Sequence, residues 1–192
     1  MGRIIAYVVS GTTVAGAVTP VDTATHTAGP AILIVEGAQS ITVTPNGKTV
    51  YVPNGELNTV TPIRTATNTA LAPIPVGAEP FALVVTPNGR TVYVGNTNTV
   101  TPIRVKTNSP LTDIPVGKVP ARLVITPDGK TVYTVNAEDN TVTPVRVSTN
   151  TAQSAVPVGG FPNSVAIIPS GKMLYVGNRN DAPSAIAFAV VE

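Results

Sequence analysis

The chain of 192 residues has no cysteine and no tryptophan, and only 11% of it is charged, less than half of the roughly 25% usual in a soluble domain. Without cysteine there is no disulfide framework, thiol nucleophile or thiolate metal site. Aromatic residues make up 4%. No run approaches the roughly 20 apolar residues that cross a bilayer as a helix. Long proline-free stretches are missing as well: the longest is residues 1–19, and 19 prolines punctuate the rest. An internal proline removes a backbone donor and clashes with the preceding turn, which excludes a helix-rich fold. There is no strong charge of one sign. Twelve Lys and Arg against ten Asp and Glu give +2, spread along the whole chain, so neither nucleic acid nor an anionic membrane is an expected partner.

What the chain does have is repetition. Its five tyrosines are Tyr7, Tyr51, Tyr93, Tyr133 and Tyr175, spaced by 44, 42, 40 and 42 residues. A turn recurs in the same register as Pro45-Asn46-Gly47-Lys48, Pro87-Asn88-Gly89-Arg90, Pro127-Asp128-Gly129-Lys130 and Pro169-Ser170-Gly171-Lys172. Each turn is followed by a strand holding the Tyr, then by Asn54, Asn96, Asn136 or Asn178. Next comes Thr59-Val60-Thr61-Pro62-Ile63-Arg64 and its copies ending in Arg104 and Arg146, and last a segment such as Ile74-Pro75-Val76-Gly77. Val, Ile, Thr and Tyr suit a half-buried pleated surface, and Pro-Asn-Gly closes a hairpin. The prolines inside the third and fourth strands mark these as outer or edge positions. Units of about 40–45 residues with four short antiparallel strands are the pattern of β-propeller blades. Met1-Gly2-Arg3 before Ile4–Val9 has the look of a secretory leader. However, its apolar run ends after about six residues, short of the roughly 7–15 expected, and it aligns with the recurring strand.

The unit resembles the YVTN-type β-propeller repeats. Tyr51-Val52-Pro53-Asn54, Tyr93-Val94-Gly95-Asn96 and Tyr175-Val176-Gly177-Asn178 carry the likeness, and Tyr133-Thr134-Val135-Asn136 departs from it at one position. The family often has Asp where this chain has Arg64, Arg104 and Arg146; only Asp22 keeps it. The resemblance implies an exported or cell-surface origin. It also implies a kinship with lactonase-type propellers, which open sugar lactones.

The expected fold is all-β: a propeller of four-stranded antiparallel blades, about four and a half in number. The units fall near 1–39, 40–79, 80–119, 120–161 and 162–192. With strands lettered a to d from the axis outward, the first unit holds b (Ile4 to Val9), c (Val14 to Asp22) and d (Ala31 to Glu36). The last holds a (Ser164 to Ile168), b (Lys172 to Val176) and c (Ala185 to Val191). Three arrangements follow: an irregular five-bladed ring, an open arc, or completion by a second copy as a homo-oligomer.

Motifs for nucleotide, phosphate, nucleophilic-serine or zinc chemistry are absent, and no cofactor or metal is implied. His26 replaces Asn68, Asn108 and Asn150 of the later units, and Asp128 replaces Asn46 and Asn88; both are expected to serve turns. The repeated Arg64, Arg104 and Arg146 are expected to serve the blade. The copies differ most in two loop sets. Between d and the next a lie Gln39, Glu79, Lys118 and Phe161; between b and c lie Glu56, Glu138, Asp139, Arg179 and Asp181. In a propeller both sets open on one face, so these residues are the candidates for contact with a protein or small-molecule ligand. Three readings are compatible: a non-catalytic binding scaffold, a lactonase-like hydrolase using Glu79, Glu138 and Asp139, and a propeller fragment without a function of its own.

Overall fold

The computed structural model describes residues 5–11, 16–34, 38–179 and 187–190. They form a β-propeller of five antiparallel sheets, and no helix occurs among them. Sheet 1 consists of b (Ile5–Gly11), c (Gly16–Asp22) and d, the last in two pieces, Thr27–Ala28 and Ile32–Ile34. In sheet 2, a is Thr42–Val43, b is Thr49–Asn54 and c is Thr59–Arg64, with d divided into Thr69–Ala70 and Ile74–Pro75. Sheet 3 repeats this with a Ala82–Val85, b Thr91–Gly95, c Thr99–Arg104, and d Ser109–Pro110 with Ile114–Pro115. Sheet 4 has a Pro120–Ile125, b Thr131–Asn136, c Thr141–Arg146, and d Thr151–Ala152 with Val156–Pro157. In sheet 5, a is Pro162–Ile167, b is Met173–Asn178 and c is Ala187–Val190. Among the described residues sheet 1 has no strand a and sheet 5 no strand d. The strand limits expected at Ile4, Val14, Glu36, Ala185 and Val191 lie outside or at the edge of the described residues.

Strand d is broken for a reason that lies in strand c. Pro62 pairs with Tyr51 of b, and its carbonyl accepts Leu71 N–H at 2.8 Å from d. The missing proline N–H therefore also faces d, and there d leaves the ladder between Ala70 and Ile74. The same carbonyl bond recurs from Leu111 to Pro102 and from Gln153 to Pro144. Strand c is thus not an edge strand, as its proline first suggested. Its donor is missing only on the side where its neighbour is interrupted.

The a–b turn is built by a threonine that the repeat places before its proline. Thr44 carbonyl accepts Gly47 N–H at 2.8 Å, and Thr44 Oγ1 donates to Asn46 Oδ1 at 2.8 Å while accepting Thr49 N–H at 3.1 Å. Gly47 takes φ 68°, the left-handed conformation that glycine adopts without a Cβ penalty. Asp128 does in its turn what Asn46 does in the first: it accepts from Thr126 Oγ1 at 2.6 Å and from Lys130 N–H at 3.0 Å.

Alternation along each strand sends one row of side chains to the preceding sheet and one to the next. Four apolar cores result. The first joins Tyr7, Val9 and Val18 of sheet 1 to Val50, Val52 and Ile63 of sheet 2. Equivalent residues join sheets 2 and 3, 3 and 4, and 4 and 5. No such core joins sheet 5 to sheet 1 among the described residues. The outward row of sheet 1 leaves Val8 51% and Leu33 79% exposed, and Tyr175 of sheet 5 is 36% exposed where Tyr51 and Tyr93 are at 0%. Among the described residues the sheets thus form an arc and not the irregular five-bladed ring.

Further contacts at the ends of the interfaces add to these cores, at both ends between sheets 2 and 3 and between sheets 3 and 4. Tyr7, Tyr51 and Tyr93 hydroxyls donate to Oδ1 of Asn68, Asn108 and Asn150 in the c–d turn of the next sheet, at 2.8, 2.7 and 2.6 Å. At the opposite end, Gly77, Gly117 and Gly159 press against Asn96, Asn136 and Asn178 of the next sheet. A Cβ at any of these glycines would lie 2.6 Å from the amide nitrogen. Tyr-Val-x-Asn and Ile-Pro-Val-Gly are therefore two halves of one contact between blades.

Candidate functional site

The b–c and d–a loops meet at one end of the sheets, as the alternating strand directions require. Asn58 of the b–c loop in sheet 2 accepts Val76 N–H on its carbonyl at 3.0 Å and Glu79 N–H on its Oδ1 at 2.8 Å. Thr97 N–H of sheet 3 reaches back to Ala78 carbonyl at 2.8 Å. In sheet 4, Asp139 Oδ2 accepts Lys118 N–H at 2.8 Å, and Asn140 Oδ1 accepts Phe161 N–H at 2.7 Å. Arg179 N–H closes the series on Phe161 carbonyl at 3.0 Å. Backbone is pinned at each step, and the side chains stand on it.

The candidates divide accordingly. Gln39, Glu56, Glu79, Lys118, Glu138, Phe161 and Arg179 are all exposed, Phe161 to 61%. Asp139 is exposed too, but one of its oxygens holds the Lys118 backbone. The loop bonds bring Lys118 beside Glu138 and Asp139, and Phe161 beside Arg179. No such bond connects Gln39 or Glu56 to the others, and Asp181 lies outside the described residues. Among the described residues no three His, Asp or Glu side chains come together as a metal site would require.

Comparison of the copies passed over two kinds of residue. Asn58 and Asn140 are the loop anchors, both in left-handed backbone at φ 54° and 55°. Their signal was present in the sequence, since asparagine is the cheapest non-glycine residue there. Leu57, 51% exposed, adds an apolar side chain to the same loop. Glu79, Val119 and Phe161 share left-handed backbone at φ 50°, 52° and 49°, where a β-branched valine is strained. His26 also falls at φ 56°, matching Asn68, Asn108 and Asn150 at 51–53°, in keeping with a turn residue.

The opposite end, formed by the a–b and c–d turns, has a different character. Lys48, Arg90, Lys130 and Lys172 close the a–b turns, and Arg64, Arg104 and Arg146 end the c strands; all seven are exposed. Lys130 pairs with Asp128 at 3.3 Å, and hydrogen bonds from Thr126 and Lys130 together with that charge hold the Asp128 carboxyl below its ordinary range. A cleft of about 650 Å³ lies between sheets 1 and 2, lined by Tyr7, Thr44, Thr65 and Asn68 among others. Another of about 460 Å³ lies between sheets 4 and 5, lined by Lys130, Tyr133, Arg146 and Lys172.

No protein-family model matches the chain, and no curated protein matches it. Solved structures share its fold. A hydrazine synthase chain from Kuenenia stuttgartiensis superposes with a TM-score of 0.77 at 23% identity, over 89% of this chain and 53% of that one. A functionally unknown protein from Desulfotomaculum acetoxidans gives 0.68 at 17% identity, over 100% of this chain and 70% of that one. The chain thus spans about half of the hydrazine synthase chain. At these identities the likeness is one of fold alone. No helix among the described residues is long and apolar enough to cross a membrane.

Proposed function

We propose that the chain is a non-catalytic propeller scaffold of YVTN type that binds a protein or small-molecule ligand through its b–c and d–a loops. The observation that carries this reading is the backbone at Glu79, Val119 and Phe161. Each occupies a left-handed position that glycine or asparagine would fill more cheaply, and the c–d turns of the same blades do use asparagine there. Strain held at one loop of successive blades, with side chains that differ from blade to blade, fits selection for what those side chains contact. The rigid sheets beneath fix the spacing of Glu79, Lys118, Glu138, Phe161 and Arg179, with Gln39, Glu56, Asp139 and Asp181 completing the candidate set. The family resemblance favours an exported or cell-surface setting, where such a scaffold presents its loops outward.

The test is a thermal-shift screen of metabolites and peptides on the purified chain, with hits mapped by amide chemical shifts. The expected hits perturb residues 56–58, 78–81, 118–121, 138–140 and 160–162. They weaken when Lys118→Ala and Phe161→Ala are combined. Hits confined to the opposite end contradict the proposal, as does turnover of a sugar lactone abolished by Glu138→Gln with Asp139→Asn.

A further inference from the structure

The net charge of +2 conceals a polarised molecule. Backbone hydrogen bonds bring two cationic residues to the turn end of each complete sheet. Thr65 N–H on Lys48 carbonyl brings Lys48 and Arg64 to adjacent register positions, on opposite faces of the sheet. Val105 on Arg90 does the same for Arg90 and Arg104, and Val147 on Lys130 for Lys130 and Arg146. Between sheets 4 and 5, Lys172 joins the Lys130–Arg146 pair in the lining of a single cleft. Carboxylates do not answer them. Among the described residues only Lys130 has one within ion-pair distance, and Arg64, Arg104 and Arg146 make no side-chain hydrogen bond or ion pair. The chain repeats the arrangement in three successive sheets.

We propose that this end of the propeller is a docking surface for an acidic polysaccharide. A polymer bearing a carboxylate or sulfate at regular intervals matches cation pairs presented at the same register of successive blades. Hydroxyl groups cover the surface between the pairs: Thr67, Thr69, Thr107, Ser109, Thr149 and Thr151 are all exposed, and sugar hydroxyls hydrogen-bond to such groups. Other polyanions lack their usual anchors here. Bases of single-stranded nucleic acid stack on aromatic side chains, whereas Tyr51 and Tyr93 are buried, Tyr7 is half-buried with its hydroxyl held by Asn68, and Tyr175 is 36% exposed. A membrane-surface protein buries several apolar side chains beneath the headgroups, and of the exposed aliphatic residues described only Val43 borders these turns.

The test measures binding of the chain to polygalacturonate and to heparin, alongside neutral dextran, duplex DNA and phosphatidylcholine–phosphatidylglycerol vesicles. The expected result is salt-sensitive binding to polygalacturonate, heparin or both, and none to dextran. Arg64→Gln with Arg104→Gln and Arg146→Gln weakens it by more than about tenfold, and Lys at the same three positions restores it. A control with the same change in net charge, Ala72→Glu with Thr112→Glu and Ser154→Glu on the outer strands, binds as the parent does. Thermal unfolding verifies that each variant is folded. No binding overturns the proposal, as does an equal loss in the outer-strand control. DNA or vesicles bound as tightly as the polysaccharides also overturn it.

Discussion

Asn54 and Asn96 donate their side-chain amides to two threonine hydroxyls each, at 2.8–3.1 Å, yet their Oδ1 atoms are buried without a partner. Sheet 4 offers a donor: Thr134 stands where the repeat has valine, and its hydroxyl proton is shared between Asn136 Oδ1 and Thr143 carbonyl, each at 3.2 Å. The departure from Tyr-Val-x-Asn is thus a repair. Burying a hydroxyl in place of a methyl normally costs about 1–3 kcal/mol, but Val94→Thr supplies the donor that Asn96 lacks. We expect a change within about 1 kcal/mol of the parent, read by urea denaturation. Val119→Gly removes a strained left-handed valine and is expected to stabilise by up to about 1 kcal/mol after the entropic cost of glycine. Gly117→Ala drives a methyl into Asn136 at 2.6 Å and is expected to lower stability by about 1–3 kcal/mol. The same denaturation experiment measures all three.

At the scale of elements, a blade is legible in the sequence because its strands are short and each is bounded by proline, glycine or asparagine. The order b, c, d at the start and a, b, c at the end follows from counting those boundaries, and the described residues of the two end sheets form strands in that order. The break in d was not legible, because it depends on which side of strand c Pro62 faces, a fact of register. Nor was the partner of the tyrosine: Tyr51 and Asn108 lie 57 residues apart, and only the packing of successive sheets brings them together. Burial raises the Tyr51 and Tyr93 hydroxyls to about 12, above the ordinary value near 10. In the unfolded chain they ionise first, so they contribute stability in full below about pH 10, and it is lost as pH rises toward about 12. A melting series from pH 9 to 12 is therefore expected to fall steeply. Tyr51→Phe with Tyr93→Phe makes the fall shallower, at the cost of about 1 kcal/mol per lost hydrogen bond at neutral pH.

For the molecule as a whole, the candidate loops were found by comparing copies, which distinguishes what builds the blade from what varies. The same comparison reads Arg64, Arg104 and Arg146 as blade residues because they repeat. Chain order also made the charges look evenly mixed, because strands that run in alternate directions send successive turns to opposite ends. Only the folded arc separates a cation-bearing end from the end of variable loops. The arc itself rests on four apolar cores between five sheets, so that among the described residues sheets 2–4 are packed on both sides and sheets 1 and 5 on one.

Native-state hydrogen exchange tests that arrangement most directly, because protection follows packing sheet by sheet. Amides of Thr49–Asn54, Thr91–Gly95 and Thr131–Asn136 in the b strands of sheets 2–4 are expected to exchange slowest. Those of Ile5–Gly11 and Met173–Asn178 in the end sheets are expected to exchange markedly faster. Equal protection of all five b strands would mean that the ends are covered as the middle is, and would contradict the open arc.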